Sequence, residues 1–304
     1  MSWIALSLLS AVFLGCYDIA KKTSVRDNAV PMVLLLNVVT AAAVWCIPIA
    51  FAGLARSGVT TLSMDWSAQL LDLDREQHTL LFLKSALVGC SWICAFYALK
   101  HLPISIATPI RATSPIWTVL LAVLLMGERP TLMQWIGIGI VLIAFLVFSR
   151  VGAKEGIHFH RDRWVYLMAL ATILGAVSAL YDKYLLQERQ LPPATVQAWF
   201  SIYLVPVMLP LAIRWYRCDR EKSPFQWRHT IPLIAIFLLV ADFAYFYAIS
   251  DPNALISVIS PIRRSAIVIP FLFGIIRWNE SNWRLKTPCI AGTLLGVYLL
   301  SISD

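Results

Sequence analysis

Apolar residues in this chain gather in ten blocks, at 3–20, 31–54, 80–99, 103–126, 132–149, 164–184, 194–213, 231–249, 253–276 and 287–302. Each is close to the ~20 residues that an α-helix rising ~1.5 Å per residue needs to cross a hydrocarbon core of ~30 Å. Trp3, Trp135, Trp164, Trp227 and Trp283 fall near block ends, where indole rings favour the membrane–water interface. The pattern predicts an all-α integral membrane protein with ten transmembrane helices. Residues 3–20 read as a retained first span, because no basic stretch precedes the apolar run as it does in a cleaved leader. The one long connection, 55–79, carries Asp65, Asp72, Asp74 and Glu76 and reads as an amphipathic surface helix.

The two halves of the pattern resemble each other. At an offset of 152, Ser105, Pro109, Ile110, Arg111 and Glu128 recur as Ser257, Pro261, Ile262, Arg263 and Glu280, and Thr113 recurs conservatively as Ser265. Phe96-Tyr97-Ala98 returns at an offset of 150 as Phe246-Tyr247-Ala248, and Lys22 and Pro31 return at 161 as Lys183 and Pro192. Apolar matches between membrane helices are common, but a Pro-Ile-Arg tripeptide inside a span is rare. Its recurrence points to a duplication, with residues 1–150 as one five-helix repeat and 161–304 as the other. Five is an odd number, so the second repeat enters the membrane upside down. Inverted repeats give transporters two exchangeable conformations around one central site.

Composition sharpens this. Of 304 residues, 59% are hydrophobic and 14% charged, with a mean hydropathy of +0.73, against ~45–50% apolar and ~25% charged in soluble domains. No polar stretch is long enough for a soluble domain. The net charge of +8 comes from short clusters flanking the blocks, as in membrane loops, rather than from a basic stripe that would grip nucleic acid. Loops after odd-numbered helices hold sixteen lysines and arginines and loops after even-numbered helices five, which by the positive-inside rule places both termini outside. The six cysteines form no CxxC pair and read as packing residues. His158-Phe159-His160 reads as a solvated loop rather than a metal seat, so neither metal nor cofactor is expected.

Candidate chemistry lies where charge enters the spans. Arg111 falls about nine residues into helix 4, ~13 Å deep, and Arg263, with Arg264 beside it, falls at a similar depth in helix 9. An arginine at mid-bilayer costs ~2.5–3.5 kcal/mol on insertion scales, so it should face the interior with partners. Pro109 and Pro261 should bend each helix and free a carbonyl near Ser105 or Ser257. Thr108, Arg111, Ser114 and Thr118 share one face of helix 4, and Ser260 and Arg263 do likewise on helix 9. Asp242 in helix 8 is the one carboxylate placed at mid-depth, since Asp18 and Asp182 sit nearer helix ends. Three cations face one anion, and a bound anion would balance the surplus. The competing reading is a buried salt-bridge network in which Asp242 takes one arginine and backbone carbonyls take the rest. Asp242 is equally open as a proton-coupling group or a plain counter-ion. Trp92, its counterpart in the repeat, is expected at the same cavity. Lys22 and Lys183 either reach the interface or line the cavity, and Glu128 and Glu280 tie helix ends together.

The 5+5 layout, the Lys22 and Lys183 pair, the Leu125-Met126-Gly127-Glu128 stretch ending helix 4 and the Gly137- and Gly139-bearing helix 5 together resemble the drug/metabolite transporter superfamily, in particular its ten-helix EamA-type members. The resemblance covers essentially the whole chain, although the long acidic 55–79 connection departs from it. It implies both termini in the cytoplasm, against the charge count. In the same superfamily, plastid phosphate translocators hold a phosphate with cationic residues on helices 4 and 9, which implies that role for Arg111, Arg263 and Arg264. The expected function is a secondary transporter in the cell (inner) membrane. It would move a small anionic metabolite, an organic phosphate or carboxylate, by alternating access coupled to protons or a counter-substrate. The alternative is an exporter of amino acids or amphipathic compounds with structural arginines. An integral-membrane enzyme is disfavoured, as no His-Glu metal motif, Gly-x-Ser-x-Gly elbow or acidic diphosphate-binding cluster occurs.

Overall fold

A computed structural model describes residues 2–57, 69–101, 110–111, 113–152, 163–270, 272–273 and 283–302. Among the described residues the regular elements are all helical: α1 (Trp3–Val25), α2 (Val30–Arg56), α3 (Arg75–His101), α4 (Ser114–Met126), α5 (Leu132–Gly152), α6 (Arg163–Lys183), α7 (Pro193–Arg214), α8 (Thr230–Ile249), α9 (Ile256–Arg264) and α10 (Trp283–Ser301). Helices α1, α2, α3, α6, α7 and α8 are long and apolar enough to cross a membrane; α4 and parts of α5 and α10 are shorter apolar helices. Leu124, Leu125, Ile47, Phe51 and Ile143 lie exposed on the outside, which in water would be a large apolar liability and in lipid is the expected surface. The chain is a multi-pass integral membrane protein.

Local chemistry sets the helix ends. Asp74 and Gln77 form a reciprocal cap, with Gln77 N–H donating to Asp74 Oδ1 at 2.7 Å and Asp74 N–H to Gln77 Oε1 at 3.0 Å. This cap starts α3 at Arg75, before its apolar block begins. Gly127, at φ 66°, closes α4 in the left-handed conformation glycine adopts without a Cβ penalty. Residues 69–71 of the long connection form a turn. Residues 55–56 belong to α2 and 75–79 to α3, so the described part of this connection holds no separate surface helix; residues 58–68 lie outside the described residues, as do Ser105, Pro109, Glu280, His158 and His160.

Both Ile-Arg motifs end at a break in the helix rather than inside a continuous span. Thr113 Oγ1 donates to the Ile110 carbonyl and Ser265 Oγ to the Ile262 carbonyl, each at 2.7 Å. Regular α4 begins just after Thr113, and α9 gives way to a 3-10 turn at Ser265–Ile267. Arg111, helical together with Ile110, therefore stands just ahead of regular α4, while residues 102–109 of the expected helix lie outside the described residues. The expected continuous helix over 253–276 is interrupted at the 3-10 turn, with the nine-residue α9 before it and helical residues 268–270 and 272–273 after it. The hydroxyl at each break competes for a carbonyl the helix would otherwise use.

The helices pack as α1 on α8, α3 on α6, α2 on α7, α4 on α9 and α5 on α10; further contacts join α3 to α7, α2 to α8, α4 to α6 and α1 to α9. Small residues allow the closest approaches. A Cβ on Gly296 would stand 2.6 Å from Val141 Cγ2 and 2.9 Å from the Gly137 carbonyl oxygen, so α5 and α10 meet nearly backbone to backbone. Glu128, just past α4, accepts the Ile256 and Ser257 backbone N–H groups at 2.8 and 2.9 Å, the Ser257 hydroxyl, and Lys183 Nζ at 2.6 Å. It thus caps the N-terminus of α9. Glu128 and Lys183 tie helix ends together, and Lys183 does not line the cavity.

Candidate functional site

A cavity of about 260 Å³ opens between α1, α3, α6, α8, α9 and the turn before α4. Five cations, Lys21, Lys84, Arg111, Arg263 and Arg264, line it against two carboxylates, Asp182 and Asp242.

Two of the cations are spoken for. Lys84 on α3, 2% exposed, donates to the Asp182 carboxylate on α6. Its ammonium lies 4.6 Å from the Phe200 ring centre and 5.2 Å from that of Phe246. With both rings against the ammonium, the Asp182 carboxylate is what compensates its buried charge. Arg263 Nη2 donates to Asp242 Oδ1 at 2.7 Å and its Nε to Ser10 Oγ at 3.0 Å, with the guanidinium 3.8 Å above the Tyr245 ring.

The other three are differently placed. Arg264 Nη2 donates to Ser114 Oγ at 2.9 Å, and Lys21 Nζ sits 4.7 Å from the Phe96 ring centre and 5.4 Å from that of Tyr17. No ion pair among the described residues involves Lys21, Arg111 or Arg264. Arg111 repels both of the others, while Asp18 attracts both without reaching ion-pair distance. The cavity thus has a neutralised side, built on Asp182 and Asp242, and a cationic side, built on Lys21, Arg111 and Arg264. Guanidinium forks at such a face suit a carboxylate or phosphate.

Of the residues singled out in the sequence, Trp92, Arg111, Asp242, Arg263 and Arg264 line the cavity. Ser260 is partly buried on α9 but is not among the lining residues. Thr108 lies outside the described residues. Lys22 is exposed rather than turned into the cavity.

Sequence reasoning missed Lys84 and Lys21 and set Asp182 aside as an end-of-helix residue. The cause for Lys84 is the Asp74–Gln77 cap, which lengthens α3 by five residues and carries the lysine from the rim of its apolar block to the interior. The cause for Asp182 is the π-helical turn Tyr184–Glu188 that extends α6 beyond Lys183. Lys21 was masked by Lys22 next to it, which carries the repeat match.

Residues 1–150 match the EamA-like transporter family. The pseudopaline exporter CntI of Pseudomonas aeruginosa, in strains UCBPP-PA14 and PAO1, is 22% identical over 209 residues, or 68% of this chain and 69% of its own. A protein of solved crystal structure superposes on 99% of this chain and 96% of its own with a TM-score of 0.68 at 17% identity, a likeness of fold.

Proposed function

Because the chain belongs, over residues 1–150, to the EamA-like transporter family, we propose that it is a secondary transporter carrying a small anionic metabolite, an organic phosphate or carboxylate, by alternating access. The observation that carries this reading is the uneven charge of the cavity, with Lys21, Arg111 and Arg264 left without carboxylate partners among the described residues. Uncompensated charge in a low-dielectric interior is costly, and a bound anion relieves it. Arg111 and Arg264 hold the anionic group and Lys21 adds charge. Arg263 is already bonded to Asp242, so it shapes the wall and orients the carboxylate rather than gripping the ligand first. At about 260 Å³ the cavity is smaller than the ~300–1,000 Å³ typical of drug-sized ligands, which favours a compact metabolite. The pseudopaline exporter among the relatives favours outward movement.

Ten spans in two inverted repeats, 1–150 and 161–304, complete the reading. Three features support it. The packing pairs exchange when the halves are swapped: α1 on α8 becomes α6 on α3, α3 on α7 becomes α8 on α2, and α4 on α6 becomes α9 on α1. The hydroxyl-to-isoleucine break occurs in both halves at the offset of 152. Finally, Asp27 and Gln190, both at φ 52°, stand three residues before the first residues of α2 and α7. The site lies at the interface of the halves, where repeat-built transporters hold substrate, in the cell (inner) membrane. Protons or a counter-substrate drive the cycle.

The test is uptake into liposomes of labelled phosphate esters, carboxylates and amines by the purified protein. Arg111→Ala and Arg264→Ala are each expected to cut anion uptake at least tenfold. Vigorous uptake of a cationic amine that survives both substitutions would sink the anion reading and favour the exporter of amphipathic compounds.

A further inference from the structure

Beside the main cavity is an annex of about 20 Å³, room for a single atom the size of a water oxygen. Trp92, Phe200 and Asp242 line both spaces, so the annex opens off the carboxylate side of the cavity. Three buried side-chain polar atoms among the described residues have no partner, and two of them, Asn37 Oδ1 and Gln197 Oε1, belong to residues lining this annex. Asn37 is 4% exposed and Gln197 1%. The amide of Gln197 is not free to turn round, because its Nε2 donates to the Leu239 carbonyl at 2.6 Å. Ser201, also in the lining, donates its hydroxyl to the Gln197 backbone carbonyl at 2.8 Å, which leaves only lone pairs to offer. Arg263 occupies Oδ1 of Asp242.

Most of the annex lining is apolar, and its polar groups include two unpartnered amide oxygens, a hydroxyl oxygen and a carboxylate. Buried acceptors without donors are costly, and here two of them belong to residues around a space for one small occupant. We propose that this annex binds a compact monovalent cation alongside the anionic substrate. The cation is either the substrate's own ammonium group, which carries three donors and no acceptor, or a free sodium ion. The inference rests on the anion reading of the cavity. With Lys21, Arg111 and Arg264 in no ion pair among the described residues, an extra cation nearby is repelled; once an anion neutralises them, the carboxylate and amide oxygens can hold it. Each ligand makes room for the other, which is positive coupling.

Binding to the purified protein is measured with two matched pairs, glutarate with glutamate and 3-phosphoglycerate with phosphoserine. Each is titrated in sodium and in choline buffer. The proposal expects a factor of at least ten. If the cation comes from the ligand, the amino-bearing member of a pair gains it in choline; if it is a free ion, the amine-free member gains it in sodium over choline. The doubly substituted Asn37→Leu, Gln197→Leu protein should bring that factor close to one, and Gln197→Glu should raise it. Both are ratios within one preparation, so a partly unfolded fraction does not distort them. A wild-type protein showing neither factor overturns the proposal and leaves water as the occupant. A factor that persists in the double variant overturns it too. If the amine-free acids fail to bind, or bind undiminished in Arg111→Ala and Arg264→Ala, the anion reading falls instead, and with it the coupling.

Discussion

Lys84 and Asp182 show how much a single buried pair commits the chain. Removing one partner strands a charge among Phe200, Phe246 and Tyr245, a loss of ~3–5 kcal/mol in comparable buried pairs, whereas replacing both with apolar residues of similar volume is often near neutral. Lys84→Met is therefore expected to unfold well before the wild type in a detergent melt, and Lys84→Met with Asp182→Leu to regain most of the difference. Equal melting of wild type and Lys84→Met would mean the pair is not buried as described. The arginines were legible in the sequence because charge inside an apolar block stands out. Lys84 was not, because it is the fifth residue of its block and its depth depends on a cap contributed by the polar Asp74 and Gln77. Hydropathy alone does not weigh such a cap.

Among the elements, α9 and the pair α5 and α10 are held in different ways. Helix α9 is nine residues long, and its N-terminus is fixed by a carboxylate from beyond α4 rather than by a cap of its own. Since α9 carries Arg263 and Arg264, loss of Glu128 should loosen the site as well as the fold. Helices α5 and α10 are held by contact. A side chain at Gly296 meets Val141 and the Gly137 carbonyl, while one at Gly139 meets nothing within 4 Å. Gly296→Val should cost at least the ~1–3 kcal/mol usual for overpacking, and Gly139→Ala should be neutral or gain up to ~1 kcal/mol from helix propensity. Denaturation of the two variants side by side measures this, and equal stability would refute the backbone contact. Block lengths foretold α5 and α10 to within a few residues, though not the break after α9, and the glycines of helix 5 were noticed. Their partner in α10 was not, because a close approach shows only when two helices are brought together.

At the scale of the whole molecule, the proposed inverted repeat makes a claim about sidedness that no single helix makes. On that arrangement, five spans per half would place the connection after α1 and the connection after α6 on opposite faces of the membrane. Arg26 and Glu188, both exposed, mark those two places. In a protein freed of its six native cysteines, Arg26→Cys and Glu188→Cys are expected to react with a membrane-impermeant maleimide from opposite sides of intact cells and inverted vesicles. Labelling of both from one side would remove the inverted arrangement, and alternating access between equivalent halves with it. Which of the two reacts in intact cells also decides between the charge count and the family resemblance. Sixteen basic residues after odd-numbered helices argue for Arg26 inside, whereas cytoplasmic termini put Arg26 outside. Part of that count is sequestered in the interior: Lys21 lines the cavity, where a cation reports on the ligand and not on the leaflet. Discounting it narrows the excess without reversing it, so the labelling result carries the decision.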